Sequence, residues 1–386
     1  MVGGSYRKDA KMRRAVGTVL ALGLVMWGSV APGAPVVNAE PAVVDLGTLP
    51  GGSESSTVAI NDDGVVVGRA KDAQGLSRPV RWDADHRIAE LPLPPQARYA
   101  TVFGVDASGA AFGNTGGPDG WERAVRWNPD GSTTVLDLPP GHTRTRALAV
   151  NDGGTVVGHA YTVGQSQVAV RWDASGAATA LPGVEGARWT EAQAIDEGGA
   201  VAGISTVEHD LSDDLHYVRW DDGALTDLGT VPGNTHASVQ GINGRYVIGT
   251  HRPVDRSGYA LRWDGSERAE VPGGGTNRLA EVDAEGTAFG MVGGRPARWT
   301  AGGEVVVQAL PEGYGSGQVL ALNAHGATAG VAISAQRQPV RWSASGEVTA
   351  LPFPSPPSPR SAIFASDVND RGVVVGEAGG RALLWP

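Results

Sequence analysis

The chain has 386 residues, among them 57 glycines, 25 prolines, 11 tryptophans and no cysteine. About a fifth is Gly or Pro, too frequent a punctuation for long helices, while the 41% apolar share suffices for a packed core. The lack of cysteine excludes disulfides, thiolate zinc sites, a cysteine nucleophile and a lipoprotein anchor, and a net charge of −10 excludes the basic surface that non-specific nucleic-acid binding requires.

Residues 1–39 read as a secretory signal peptide. Arg7, Lys8, Lys11, Arg13 and Arg14 form a basic leader, Ala15 to Ala31 a run of apolar or small residues, and Val37-Asn38-Ala39 a small-residue cleavage site. The run is short for a membrane span, so export is expected over a retained anchor. Met12 offers a second start, and the Arg13-Arg14 pair alone does not fix the export route. No later stretch is long and apolar enough to span a bilayer. Residues 40–386 are expected to form one secreted, monomeric domain without membrane insertion.

Next comes Ala42 to Gly52, AVVDLGTLPGG, which nearly repeats ALTDLGTVPGN at Ala224 to Asn234. After it the chain is periodic. Trp82, Trp127, Trp172, Trp220, Trp263, Trp299, Trp342 and Trp385 are separated by 45, 45, 48, 43, 36, 43 and 43 residues. Arg precedes seven of them and Leu384 the last, and an apolar residue stands two positions before each. A second landmark recurs eight times: an apolar residue, Asn or Asp at 61, 106, 151, 196, 243, 283, 323 or 369, a short turn, and a small or β-branched run ending in Gly.

In unit one this predicts four strands, roughly STVAIN, VVVGRA, RPVRW and RIAEL. Asp62-Asp63-Gly64 and Asp83-Ala84-Asp85 supply the tight turns, since Asn, Asp and Gly tolerate positive φ. Four strands in about 43 residues is the period of a β-propeller blade. The interior copy of DLGT is a fourth strand, so residues 42–52 hold a fourth strand with no unit of their own, while the last unit stops at its third strand. The expected fold is therefore all-β: an eight-bladed propeller of four-stranded blades, closed when the N-terminal strand completes the last blade.

Strand alternation points Trp82 and Val80 one way and Arg81 the other. The eight tryptophans are assigned to the interfaces between units. Each removes roughly 150–250 Å² from water, an upper bound of about 4–6 kcal/mol. A structural role is thus expected for them over sugar stacking. Their arginine neighbours are expected to be solvated or paired with acids. The spacing from Asn or Asp to the closing Gly is nearly constant, whereas Gly to the next Trp runs 14, 14, 14, 17, 14, 9, 12 and 9. The second-to-third loop and the unit-to-unit loop share a face in such a sheet. Length variation thus falls on one face, where binding usually resides.

DLGTLPGG, SSTVAINDDGVVVG and RPVRW together resemble the HAF-repeat family of secreted bacterial repeat proteins, over residues 42–386. The third element departs from the family's His-Ala-Phe, reading Arg78-Pro79-Val80 in unit one and His216-Tyr217-Val218 in unit four. The resemblance implies a propeller-like repeat fold and export, and supplies no catalytic site.

The remaining candidates are weak. Unit four has the longest second-to-third loop, with Glu208, His209, Asp210, Asp213, Asp214 and His216; its oxygen-rich character would suit Ca²⁺, although a solvated acidic loop explains it better. No other cofactor is implied. The NDDG, NDGG and DEGG turns lack the distal Glu of an EF-hand and read as hairpins. Pro352 to Ser361 holds five prolines and favours an extended spacer. No nucleophile elbow, metalloprotease helix or phosphate loop is present. The expectation is a non-catalytic binding module for an extracellular protein or glycan, acting through the variable-loop face. The alternative is a polysaccharide hydrolase or lyase at the channel mouth, which requires converging acids or histidines.

Overall fold

A computed structural model describes residues 43–208, 213–231, 234–253, 259–273, 278–354 and 362–386. Residues 1–42, where a signal peptide is expected, part of the unit-four loop and most of the proline-rich loop lie outside the described residues.

Valine-rich runs separated by Asx-Gly turns give 32 strands in the described part. Unit one contributes Ser55–Ile60, Val66–Lys71, Ser77–Trp82 and Ile88–Glu90, within a residue or two of the expected spans. Within each unit the strands pair antiparallel in sequence order. Six sheets are four-stranded; units three and four merge into an eight-stranded one through the parallel pair Gln167 and Trp189. In the last unit the fourth place is taken by Val44–Asp45, with Val44 opposite Leu384 and Asp45 opposite Leu383. No sheet closes on itself.

The repeated Gly lies inside the second strand, where the expected span VVVGRA puts it. Glycine is placed there because the first strand of every unit has a bulge opposite it. The register shifts between Thr57 and Ala59 in unit one, between Ala147 and Ala149 in unit three, and at the matching place in the other six. The bulge drives a first-strand carbonyl toward the second strand: a Cβ on Gly158 would lie 2.0 Å from the Arg146 oxygen. The glycine is needed for close approach, and its φ is ordinary.

Eight apolar clusters hold the units together, each built from two successive units around one repeat tryptophan. One joins the last unit to the first: Val375, Ala382 and Leu384 pack with Trp82, Val80, Val66 and Leu46. Trp82 to Trp385 are at most 2% exposed. Every indole N–H also has an acceptor on the segment leading into its unit, from Trp82 Nε1 donating to the Leu46 carbonyl at 2.7 Å to Trp342 donating to Ala309 at 2.7 Å. A buried indole donor without such a partner would be costly.

The arginines before the tryptophans are mostly neither free in solvent nor paired with acids. Six of the seven donate to turn carbonyls of the following unit: Arg81 to Gly109 and Pro129, Arg262 to Gly286, Thr300 and Ala301, Arg341 to Gly372, with Arg126, Arg219 and Arg298 alike. Tight turns end in outward carbonyls that no strand satisfies, and the guanidinium fork reaches several at once. Carboxylates take part at only two: Asp106 lies 3.7 Å from Arg126, and Asp221 accepts from Arg219.

Candidate functional site

The tight turns come together on one side of the molecule. Asn61 Oδ1 accepts from Val65 N–H, closing its own turn, and its Nδ2 donates 2.9 Å to the Asp106 carbonyl of the next unit. Asn151, Asn243 and Asn323 donate likewise, and Asn369 donates to the Asn61 carbonyl at 3.0 Å. Where Asp replaces Asn it can only accept, so Asp196 takes Gly244 N–H at 2.9 Å. The turns thus link units, consistent with a hairpin rather than a calcium loop.

Residues of seven units surround a cavity of about 480 Å³ behind these turns. Ile60, Ile195, Ile242, Val282, Leu322 and Val368 form an aliphatic collar, with Asp62, Asp152, Glu197, Asp283 and Asp370 at the rim. Burial, then the charges of Asp62, Asp370 and Asp106, push Asp152 above the usual carboxylate range; burial and its acidic neighbours do the same to Glu197. Two positions before each Asn or Asp stands Ala or Gly in six units, but Glu281 and Asp367 in units six and eight. Burial and the nearby Asp367 charge push Glu281 up to about 8. Burial raises Asp367 to about 6, although its carboxylate accepts from Ile60 N–H and Val368 N–H, each at 2.8 Å.

The variable loops build a different surface. Three of them line an open cavity of about 550 Å³: Pro95, Gln96 and Arg98 from the loop between units one and two, Pro118, Gly120 and Trp121 from within unit two, and Thr143 and Arg144 between units two and three. The short turn Pro118–Gly120 brings Trp121 back toward the sheet, where Gly117 N–H donates to its carbonyl at 2.8 Å. Gly120 has φ +70°, and a Cβ there would lie 2.3 Å from Arg144 Nη2. Only glycine permits both the turn and the guanidinium above it. Arg123 stands 5.6 Å from the Trp121 ring centroid and donates to the Thr143 carbonyl at 2.5 Å. Arg144 lies 5.8 Å from the Tyr161 ring centroid, and Tyr161 Oη donates to Glu122 at 2.5 Å. Tyr99 is 62% exposed nearby.

A second cavity, of about 520 Å³, begins at the neighbouring residue of the same loop and is lined by His142, Gln167, Gly183, Arg188 and Thr190 among others. At its edge Glu208 accepts from Arg188 at 2.5 Å and from Trp189 Nε1 at 2.9 Å. Glu191 is held by Gln167, which also lines this cavity, and by Gln193, with His159 Nδ1 3.7 Å away. Burial pushes His159 below its ordinary value, against the pull of Glu191.

Of the unit-four candidates, Glu208 is engaged as above, and His216 Nδ1 lies 2.9 Å from Asp227 Oδ2. Asp214 sits on the third strand opposite Val207. His209, Asp210 and the Asp213 side chain lie outside the described residues. Among the described residues no three His, Asp or Glu side chains gather to hold a metal ion, and no helix is long and apolar enough to cross a membrane. The sequence reading did not single out Arg98, Trp121 and Arg144. Their signal was the periodicity itself: beyond residue 39, Trp121 and Trp189 are the tryptophans that stand off the repeat, and each lies beside one of these cavities.

No protein-family model matches the chain, and no curated protein does. Solved structures are similar in fold. A prolyl endopeptidase is 12% identical, the match covering 84% of this chain and 54% of that one, with a TM-score of 0.55. A puromycin hydrolase is 14% identical over 84% of this chain and 58% of that one, with a TM-score of 0.52. Virginiamycin B lyase from Staphylococcus aureus is 12% identical over 89% and 98%, with a TM-score of 0.46. At these identities the likeness concerns fold alone: the chain has an all-β, β-propeller-like architecture.

Proposed function

We propose that residues 40–386 form a closed eight-bladed propeller of the HAF-repeat kind, exported after cleavage at Ala39. It acts as a monomeric, non-catalytic binding module for an extracellular glycan or protein through its variable-loop face. Closure is supported by the cluster joining the last unit to the first and by the pairing of Val44–Asp45 with the last unit. The observation that carries the functional reading is the cavity made from three variable loops around Trp121, Arg98 and Arg144. A rigid scaffold that places an aromatic face and two cations on loops of unconstrained length is suited to recognition. A glycan and peptide array probed with the mature protein is expected to give binding that Trp121→Ala abolishes while the melting temperature stays unchanged. Binding indifferent to that substitution would refute the assignment of the face.

One observation favours the alternative, a polysaccharide hydrolase or lyase. Glu281 and Asp367 interrupt an otherwise Ala/Gly row, and burial holds them at about 8 and about 6, as an acid and base pair working near neutral pH would need. The array's glycans, incubated and scored for shortened chains, test this directly; cleavage lost in Glu281→Gln would establish it.

A further inference from the structure

We propose that the loop face binds an acidic polysaccharide whose sugars carry carboxylates, a uronate chain, an inference that rests on the binding role given above. Three observations lead to it. The first is charge. The protein is acidic overall and its tight-turn face gathers carboxylates, yet the described lining of the 550 Å³ cavity holds Arg98 and Arg144 and no carboxylate, the Asp119 side chain lying outside the described residues. Arginine is the cation suited to this: its planar fork meets a carboxylate with two parallel hydrogen bonds and stays charged.

The second is the aromatic surface. Trp121 lines the cavity and Tyr99 is exposed near it, unlike the repeat tryptophans, which are committed to packing and hydrogen-bonded within it. A ring braced from one side by Arg123 offers a flat apolar face, which the C–H face of a pyranose matches. The third is extent. Two cavities, of about 550 and 520 Å³, are lined by consecutive residues of one loop, Thr143 and Arg144 in the first and His142 in the second, and each has an arginine, Arg144 in one and Arg188 in the other. A polymer would engage both, where a single sugar would fill only part of one.

The test uses the mature protein with polygalacturonate, the same polymer after reduction of its carboxylates, a sulfated polysaccharide and a neutral glucan, followed by tryptophan fluorescence and calorimetry. Polygalacturonate is expected to bind, to weaken as salt rises, and to lose about tenfold in affinity on carboxyl reduction and with Arg98→Ala or Arg144→Gln. Longer oligouronates should bind more tightly than a dimer. Circular dichroism and melting establish that the variants are folded, and Arg98→Ala, at an exposed residue, guards against a packing defect in the other. Equal binding of the reduced polymer, or preference for the sulfated or neutral one, overturns the uronate assignment but leaves the binding face standing if Trp121→Ala abolishes that binding. Failure of every polymer and peptide to bind overturns both.

Discussion

At the scale of single residues, the repeat makes departures conspicuous. Glu281 and Asp367 occupy positions where six units place Ala or Gly, and Asp367 there accepts from Ile60 N–H of the first unit. Both carboxyls are raised, Glu281 from 4.5 to about 8 and Asp367 from 3.8 to about 6, chiefly by burial. An acid that binds its proton more tightly when folded favours the native state at low pH. The contribution is complete below the unfolded values and is lost as pH rises, through about 6 for Asp367 and about 8 for Glu281. Urea melts at intervals between about pH 5 and pH 8 should show stability falling with pH. Glu281→Gln, which removes the charge and keeps the shape, should flatten that fall and raise stability at the alkaline end. A wild-type profile as flat as the variant's would contradict the burial of this acid.

At the scale of the element, the repeat carried most of the fold in plain view. Strand order, tight turns and tryptophan burial all follow from local patterns: alternation for strands, Asx-Gly for turns, and a large apolar side chain once per unit. What the pattern could not display were interactions between units, because their partners lie a whole repeat away. Arg81 looks like a solvated strand residue until the Gly109 and Pro129 carbonyls of the next unit are seen beside it. The repeated Gly sits inside the second strand, and only the bulge opposite explains why it is Gly. The candidate site was hidden for a related reason: it is made of loops that do not repeat, and only Trp121 and Trp189 standing off the period betrayed it. The N-terminal strand shows where sequence and structure meet. Its ladder is two residues long, yet Leu46 and Leu49 are buried, Leu46 N–H donates to Ala382, and the Leu46 carbonyl satisfies Trp82. Deleting residues 40–50 should therefore cost several kcal/mol, since it removes two buried leucines and leaves the last unit with an open edge. Unchanged thermal melting of the deletion variant would mean that the strand contributes nothing to the junction.

At the scale of the whole molecule, each unit touches only its neighbours, so stability is close to a sum of unit and interface terms. In an open array the two end units have one interface each and fray first. In a closed ring there are no ends, and the junction between the last unit and the first has the same apolar cluster, the same indole bond and the same asparagine link as the others. The two arrangements predict different responses to one substitution made at different places. Replacing a repeat tryptophan by alanine removes about 3–5 kcal/mol of packing wherever it is fully buried. If the ring closes, Trp82→Ala at the junction and Trp220→Ala in the middle should lower stability about equally, and each should leave a single cooperative transition or the same partly opened state. Hydrogen exchange should show the second strands of the first and last units, Val66–Lys71 and Val374–Ala378, protected as well as Val201–Glu208 of unit four. Early exchange confined to the first and last units, with a milder effect of Trp82→Ala than of Trp220→Ala, is the signature of an open array. Such a result would also dissolve the argument for a fixed loop face, because the cavity around Trp121 depends on units one to three being held in register by a structure without ends.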